Sequence, residues 1–298
     1  MRVAAYIRQP AKPHEEVANA VVAGVRSKGD MAWTFGKGDP MRQENADVVV
    51  IFGIGGDARQ VWDANSHARR VLLDKPYTRG GVPGPTRYHL CRVSVDALHP
   101  TSYFRQIARP PDRWNALKFP DVEQYKFRDQ TKIVFDGASN KYCLWEGLPD
   151  WPVWGQMVVS KIRQHTRMSV VYRPRPSHNP APILEGVELS EGPIEEDFRR
   201  ARVVVSHGGN IGFDCVVRGV PHFAIGDSAA RSLSETDWRE VERPRFYFAG
   251  QRAQWLADIA YCQWNLDEFA DGRAWRYVRE TLDLTTHLKM KARLHATP

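Results

Sequence analysis

The chain has 298 residues, 42% of them hydrophobic and 26% charged, with a formal net charge of +7. That length and apolar content suit two α/β domains or one large one. Cys91, Cys143, Cys215 and Cys262 form no CxxC pair, and no apolar run approaches membrane-spanning length. This excludes a disulfide frame, a zinc ribbon and a membrane span, and points to buried thiols in the cytoplasm.

The opening residues MRVAAYIRQPAK read as a first strand, Val3 to Ile7, too short and too charged for a signal peptide. Glu15 to Ser27 has helical spacing and stops at Lys28-Gly29. Strands are expected at 32–35 and 48–52, the second feeding Gly53-Ile54-Gly55-Gly56. A helix over 59–70 and a strand over 71–73 follow. This alternation predicts a parallel, doubly wound sheet. Glycines at the carboxyl end of a strand lie where open sheets place ligands, but Asp57 and Ala58 break the GxGxxG pattern.

Asp74 closes the 71–73 strand and is the first choice for a general base, with Asp57 second; each is equally an ordinary loop aspartate. Residues 88–95 alternate like an edge strand, and 98–125 is irregular. Between His67 and Lys118 ten basic residues face three acids, an excess equal to that of the whole chain. Arg69, Arg70, Lys75, Arg79, Arg87, Arg105, Arg109 and Arg113, with Trp114, are therefore expected to contact an anionic partner, with nucleic acid leading. The plain alternative is a solvated basic face.

A second alternation begins at Lys132 to Phe135, followed by the small polar loop 136–140. Trp145, Trp151 and Trp154 among prolines suggest a hinge. After a helix over 153–166 and a strand over 169–172 comes Arg173-Pro174-Arg175, a stiff cationic loop. Val203 to Val205 then leads into Ser206-His207-Gly208-Gly209-Asn210, a helix to Arg218, a Gly219 stop and a strand over 220–224. A strand, a glycine loop and a helix start make an anion site. Asp227 and Ser228 follow the next strand. Three loops thus line one sheet edge, and the expected ligand is the diphosphate of a nucleotide-linked donor. Ala274 to Lys291 is the final helix.

Four segments carry a family resemblance. They are Val171-Tyr172-Arg173-Pro174; Val204 to Asn210 through Gly219-Val220-Pro221; Asp74-x-x-Tyr77 with Tyr88-x-x-x-Arg92-Val93; and Ile259 to Trp264 through Gly272-x-Ala274-Trp275. Together they resemble the glycosyltransferase-like proteins of bacteriophages, over about residues 70–298. The first 70 residues match no motif. The resemblance implies an α/β GT-B fold, two Rossmann-like domains facing a central cleft. It implies an acceptor domain over 1–140, a nucleotide-sugar domain over 141–272 and a terminal helix, 273–298, packing back on the first domain. By the same resemblance Ser206, His207, Gly208, Gly209 and Asn210 face the diphosphate, Arg173 offsets its charge, and Asp214 meets the ribose where the family usually has glutamate. No DxD-like dyad is present, so no metal or other cofactor is expected beyond the donor, UDP-sugar being favoured.

Such enzymes often modify the phage's own DNA, so the implied acceptor is a hydroxymethylpyrimidine such as hydroxymethyluracil in duplex DNA, flipped from the stack. The alternatives are a polysaccharide or cell-wall acceptor, a non-catalytic DNA-binding protein, and a nucleotide-sugar epimerase.

Overall fold

The computed structural model describes residues 1–8, 12–78, 90–125, 130–175, 178 and 180–296. It divides into two compact units, one of 1–118 with 257–298 and one of 119–256.

The first unit begins with β1 (Arg2–Ile7), α1 (Lys12–Ser27), β2 (Met31–Gly36), β3 (Val48–Phe52), α2 (Ala58–Ala64) and β4 (Arg69–Asp74). All five residues of β3 are buried, as the central strand of a sheet covered on both faces must be. These four strands are parallel, in the order β4-β3-β1-β2. The expected helix over 59–70 stops early. The Asn65 side chain turns back to the carbonyls of Val61 and Met41, and Arg69 already pairs with Val48. Arg69 and Arg70 are therefore strand residues.

β5 (Cys91–Val95) runs antiparallel to β4 and is wholly buried. It is not the edge strand its alternation suggested, because a later strand covers its other side. Its buried Arg92 pairs with Asp74, directly opposite in the ladder. The segment after it contains one short helix, α3 (Asp112–Ala116).

The second unit holds β6 (Lys132–Asp136), α4 (Asn140–Glu146), α5 (Val153–His165), β7 (Ser169–Arg173), β8 (Glu188–Leu189), α6 (Ile194–Arg200), β9 (Ala201–Ser206), α7 (Ile211–Arg218) and β10 (His222–Ala224). The strands are parallel in the order β10-β9-β6-β7-β8. Period-two alternation sends Ile133, Phe135, Val203 and Val205 into one core with Val158 and Ile162 of α5. Val134, Val171 and Val204 enter the other core, with Phe198, Ile211 and Cys215. Trp151 belongs to the first core, 5.7 Å from Phe135 and 5.9 Å from Tyr172, and Trp154 packs against it. The tryptophan cluster is core, not hinge. The sequence reading placed β6 in the first domain; it is the middle strand of the second sheet, and the division falls at 118/119.

α8 (Ala249–Ala260) carries the chain back to the first unit. There β11 (Gln263–Trp264) adds antiparallel to β5. α9 (Leu266–Ala270) opens on an Asn265–Glu268 capping box. α10 (Arg273–Ala296) packs on α1, α9 and β5.

Candidate functional site

In an open α/β sheet a ligand crevice forms where chain order reverses, beyond the carboxyl ends of two adjacent strands. Each unit has one such point. In the second sheet the chain runs from β6 outward through β7 to β8, then returns to β9 on the other side of β6. The reversal lies between β6 and β9, so Ser206 to Asn210 sits at the crevice with Asp136 to Ser139. In the first sheet the reversal lies between β1 and β3. It brings Arg8 beside Gly53 to Asp57.

In the second unit the N–H groups of Gly208, Gly209, Ile211 and Gly212 have no acceptor among the described residues. Four free donors at the start of an eight-residue helix form an anion cradle. Gly208 is required by close approach, since a Cβ there would overlap the Tyr142 hydroxyl. That hydroxyl donates to the Asp227 carbonyl at 3.0 Å and ties α4 to the loop after β10. Asp136 lines the same place: a Cβ on Gly209 would lie 3.1 Å from its Oδ2. The sequence reading gave the 136–140 loop no role. Only strand order shows that it adjoins the 206–210 loop.

The side chains expected to hold phosphate behave differently from one another. Ser206 is buried and hydrogen-bonds His222 Nε2 at 2.8 Å, and His222 Nδ1 meets the Ser234 hydroxyl at 2.7 Å. Burial pushes His222 down to about 3, so this is a neutral internal chain. His207 is 7% exposed, edge-on to Tyr142 and Trp154 and packed over Gly226, and burial pushes it down to about 4. It is a neutral wall of the crevice whose buried Nδ1 has no partner. Ser228 caps the 3-10 turn Ala229–Leu233. Asp214 and Asp227 are half-buried, Asp214 in the first turn of α7, and Asn210 is the residue before that helix.

Arg173 is taken: it donates to Asp197 at 2.7 Å, to Ser190 and to the Gly192 carbonyl. The buried Asp197 carboxylate is its counterion, so the sequence assigned Arg173 a charge the structure spends internally. The guanidinium of Arg175, half-buried, makes no hydrogen bond or ion pair among the described residues.

In the first unit Tyr6 donates to Asp57 Oδ2 at 2.6 Å, while Asp57 Oδ1 is buried and unpartnered. Burial and the Asp57 carboxylate raise the Tyr6 hydroxyl well above its ordinary value. Arg8 lies across the glycine loop: a Cβ on Gly56, where φ is +61°, would lie 3.2 Å from its Cδ. His14 Nε2 is 3.0 Å from Arg8 Nη2. The sequence reading missed Tyr6, Arg8 and His14. The signal was the end of the first strand, which is where ligands sit in this class of sheet.

Asp74, the first choice for the base, has both oxygens occupied, one by buried Arg92 at 2.8 Å and one by the Lys75 N–H at 2.8 Å. The basic segment is likewise drawn inward. Arg69 bonds Asp96, Thr285, Thr286 and the Leu282 carbonyl. Arg70 stacks on Trp62 and bonds its carbonyl. Arg105 lies 3.9 Å from Asp258, and Arg109 pairs with Glu280 while stacking on Tyr261. Arg113 grips Glu268 through two bonds of 2.7 and 2.8 Å and covers the Trp264 ring. Trp114 is buried. Charge counting located these cations but not the acids, many of them from 257–286, that neutralise them. Lys75 is exposed, and Arg79 and Arg87 lie outside the described residues. Among the described residues no group of three His, Cys, Asp or Glu side chains gathers to hold a metal, and no helix is long and apolar enough to cross a membrane.

Among solved structures the chain is similar to the Thermosulfurimonas dismutans KpsC beta Kdo 2,7 transferase, with a TM-score of 0.52 at 13% identity, over 92% of this chain and 99% of that one. It is also similar to the beta Kdo 2,4 transferase of the same KpsC, with a TM-score of 0.50 at 10% identity, over 86% of this chain and 89% of that one. The chain has the GT-B fold. Its two mainly parallel sheets are the two Rossmann-like units of that class. No family model matches the chain, and no curated protein matches it. At these identities the likeness carries architecture and not chemistry. The expected GT-B architecture holds, and nothing in these comparisons points to a phage or DNA-modifying type.

Proposed function

We propose that the protein is a glycosyltransferase that takes its sugar from a nucleotide-sugar bound in the second unit. The observation that carries this reading is the cradle of four unpaired N–H groups at the β6/β9 reversal of a GT-B chain. The two solved structures named above are described as Kdo transferases. In this reading the N–H groups and the α7 start take a phosphate oxygen and hold the charge that develops as the sugar leaves. Arg175 adds the cation in place of Arg173. Asp136 disfavours a second phosphate beside Gly209 and suits a ribose or sugar hydroxyl, which a carboxylate accepts as a donor. Asp214 and Asp227 line the same edge.

The acceptor is assigned to the first unit. Asp57, with one oxygen held by Tyr6 and the other free, is the base that takes the acceptor hydroxyl proton. It replaces Asp74, whose oxygens are both engaged. A saccharide or glycoconjugate acceptor is favoured over a hydroxymethylpyrimidine in duplex DNA, because the arginines that would hold phosphates are paired inside the unit.

A panel of nucleotide-sugars, assayed for donor hydrolysis and for transfer to saccharides and to hydroxymethylated DNA, tests the reading. Transfer to a saccharide is expected; turnover of the donor alone would favour an epimerase. DNA retention without turnover would favour a non-catalytic DNA-binding protein. Asp57→Asn should lower the transfer rate by about 10²- to 10⁴-fold with donor affinity unchanged. A variant at the wild-type rate removes Asp57 from the chemistry.

A further inference from the structure

The β1/β3 crevice holds a charge that the fold leaves unanswered. Arg8 follows β1 directly and lies across the Gly53–Gly56 loop, yet no carboxylate pairs with it among the described residues. Its Nε is buried with no hydrogen-bond partner, and Nη1 makes no bond either. The contrast within the same unit is sharp, since Arg69, Arg92, Arg105, Arg109 and Arg113 all face acids. A half-buried guanidinium without a counterion carries a desolvation cost that an incoming anion relieves.

Its hydrogen-bond partner among the described residues is His14, 7% exposed and set edge-on to Phe52. Arginine only donates, so His14 Nε2 is the acceptor in the 3.0 Å contact and the ring is neutral, with its proton on Nδ1. That Nδ1 is buried and unpartnered too. Burial, and next the Arg8 charge, lower the His14 pKa, which agrees with a neutral brace. His14 thus fixes one arm of the fork and leaves the rest for a ligand. Beside it Asp57 Oδ1 is a buried acceptor with no donor. Unmet donors and an unmet acceptor in one crevice match a ligand bearing both an acidic group and a hydroxyl.

We propose that Arg8, braced by His14, is a specificity residue that binds a carboxylate or phosphate group of the acceptor beside Asp57 at the β1/β3 crevice. The acceptor is then an acidic saccharide, not a neutral one. This rests on the assignment of the acceptor to the first unit.

The test is a ligand-observed NMR titration of the full chain to millimolar concentration. Methyl glucuronide carries the carboxylate, glucose 6-phosphate the phosphate, and methyl glucoside neither. One or both charged probes should bind about tenfold or more tighter than the neutral one, and the stronger of the two names the acid. Arg8→Gln should abolish that preference while keeping the wild-type melting temperature, and Arg8→Lys should restore part of it. Equal binding of all three probes, or a preference that survives Arg8→Gln, overturns the proposal.

Nucleotide titrations on the same samples separate this from the wider reading. If no nucleotide binds but the Arg8-dependent preference stands, the transferase assignment fails and the anion subsite remains. If nucleotides bind and the preference is missing, the anion subsite alone fails. A loss of nucleotide affinity in Arg8→Gln overturns the acceptor role of Arg8.

Discussion

Gly208 and His207 show how one loop is shaped by atoms far away in sequence. Gly208 has no room for a side chain because Tyr142 stands against it. In Gly208→Ala the loop must move or Tyr142 must swing, and either spoils the N–H cradle. The expected result is loss of nucleotide binding by tenfold or more in calorimetry, with a cooperative fold retained. Wild-type affinity would show that the cradle is not the donor site.

His207 adds a pH dependence. Its folded pKa, about 4, lies below the unfolded value of about 6.5, so the unfolded chain binds more protons in between. Stability from this residue is complete above about pH 6.5 and is lost as pH falls toward 4. His222, at about 3, acts with the same sign. The urea midpoint should therefore fall from about pH 7 to about pH 5, with a shallower fall in His207→Gln. Identical slopes for the two proteins would place His207 in a wetter setting than the one described.

At the scale of elements, the basic segment is a set of staples. Arg113, in α3, reaches the carboxylate that caps α9 and the carbonyl of Gln263 in β11. Arg69, in β4, reaches the hydroxyls of Thr285 and Thr286 in α10. Each joins the early part of the first unit to the returning chain. Removing one partner of a buried pair leaves the other charged and desolvated. Arg113→Met should cost about 3 kcal/mol in urea unfolding, and Arg113→Met with Glu268→Gln should recover part of that. A cost near zero would mean that Arg113 is a surface cation, as the charge count alone implied.

For the molecule as a whole, a net charge of +7 is not by itself evidence of a nucleic-acid surface. A surface that binds duplex without sequence preference offers several unpaired cations to phosphates and weakens steeply with salt. Here five arginines of the 69–118 segment already have acids. Gel shifts at physiological salt should show no stable complex with ordinary or hydroxymethylated duplex. A complex there, with a salt slope of several phosphates, would restore the DNA reading.

The sequence by itself determined the strands, the glycine loops and the alternation that makes two Rossmann-like units. These rest on local periodicity and turn chemistry, which a single chain displays. It placed the 206–210 loop at a strand end and Asp57 near a ligand edge. It read β5 as an edge strand and the tryptophans as a hinge, because Cys91 and Trp151 are defined by partners from distant segments, and it did not show that Arg92 meets Asp74. The roles of Arg113 and Arg173 were hidden for the same reason: a cation looks the same in sequence whether or not an acid meets it. Tertiary structure alone decided that Asp136 adjoins Gly209, that Arg8 crosses the Gly53–Gly56 loop, and which arginines remain unpaired. Strand order sets those meetings, and hydrogen-bond satisfaction shows which groups still await a ligand.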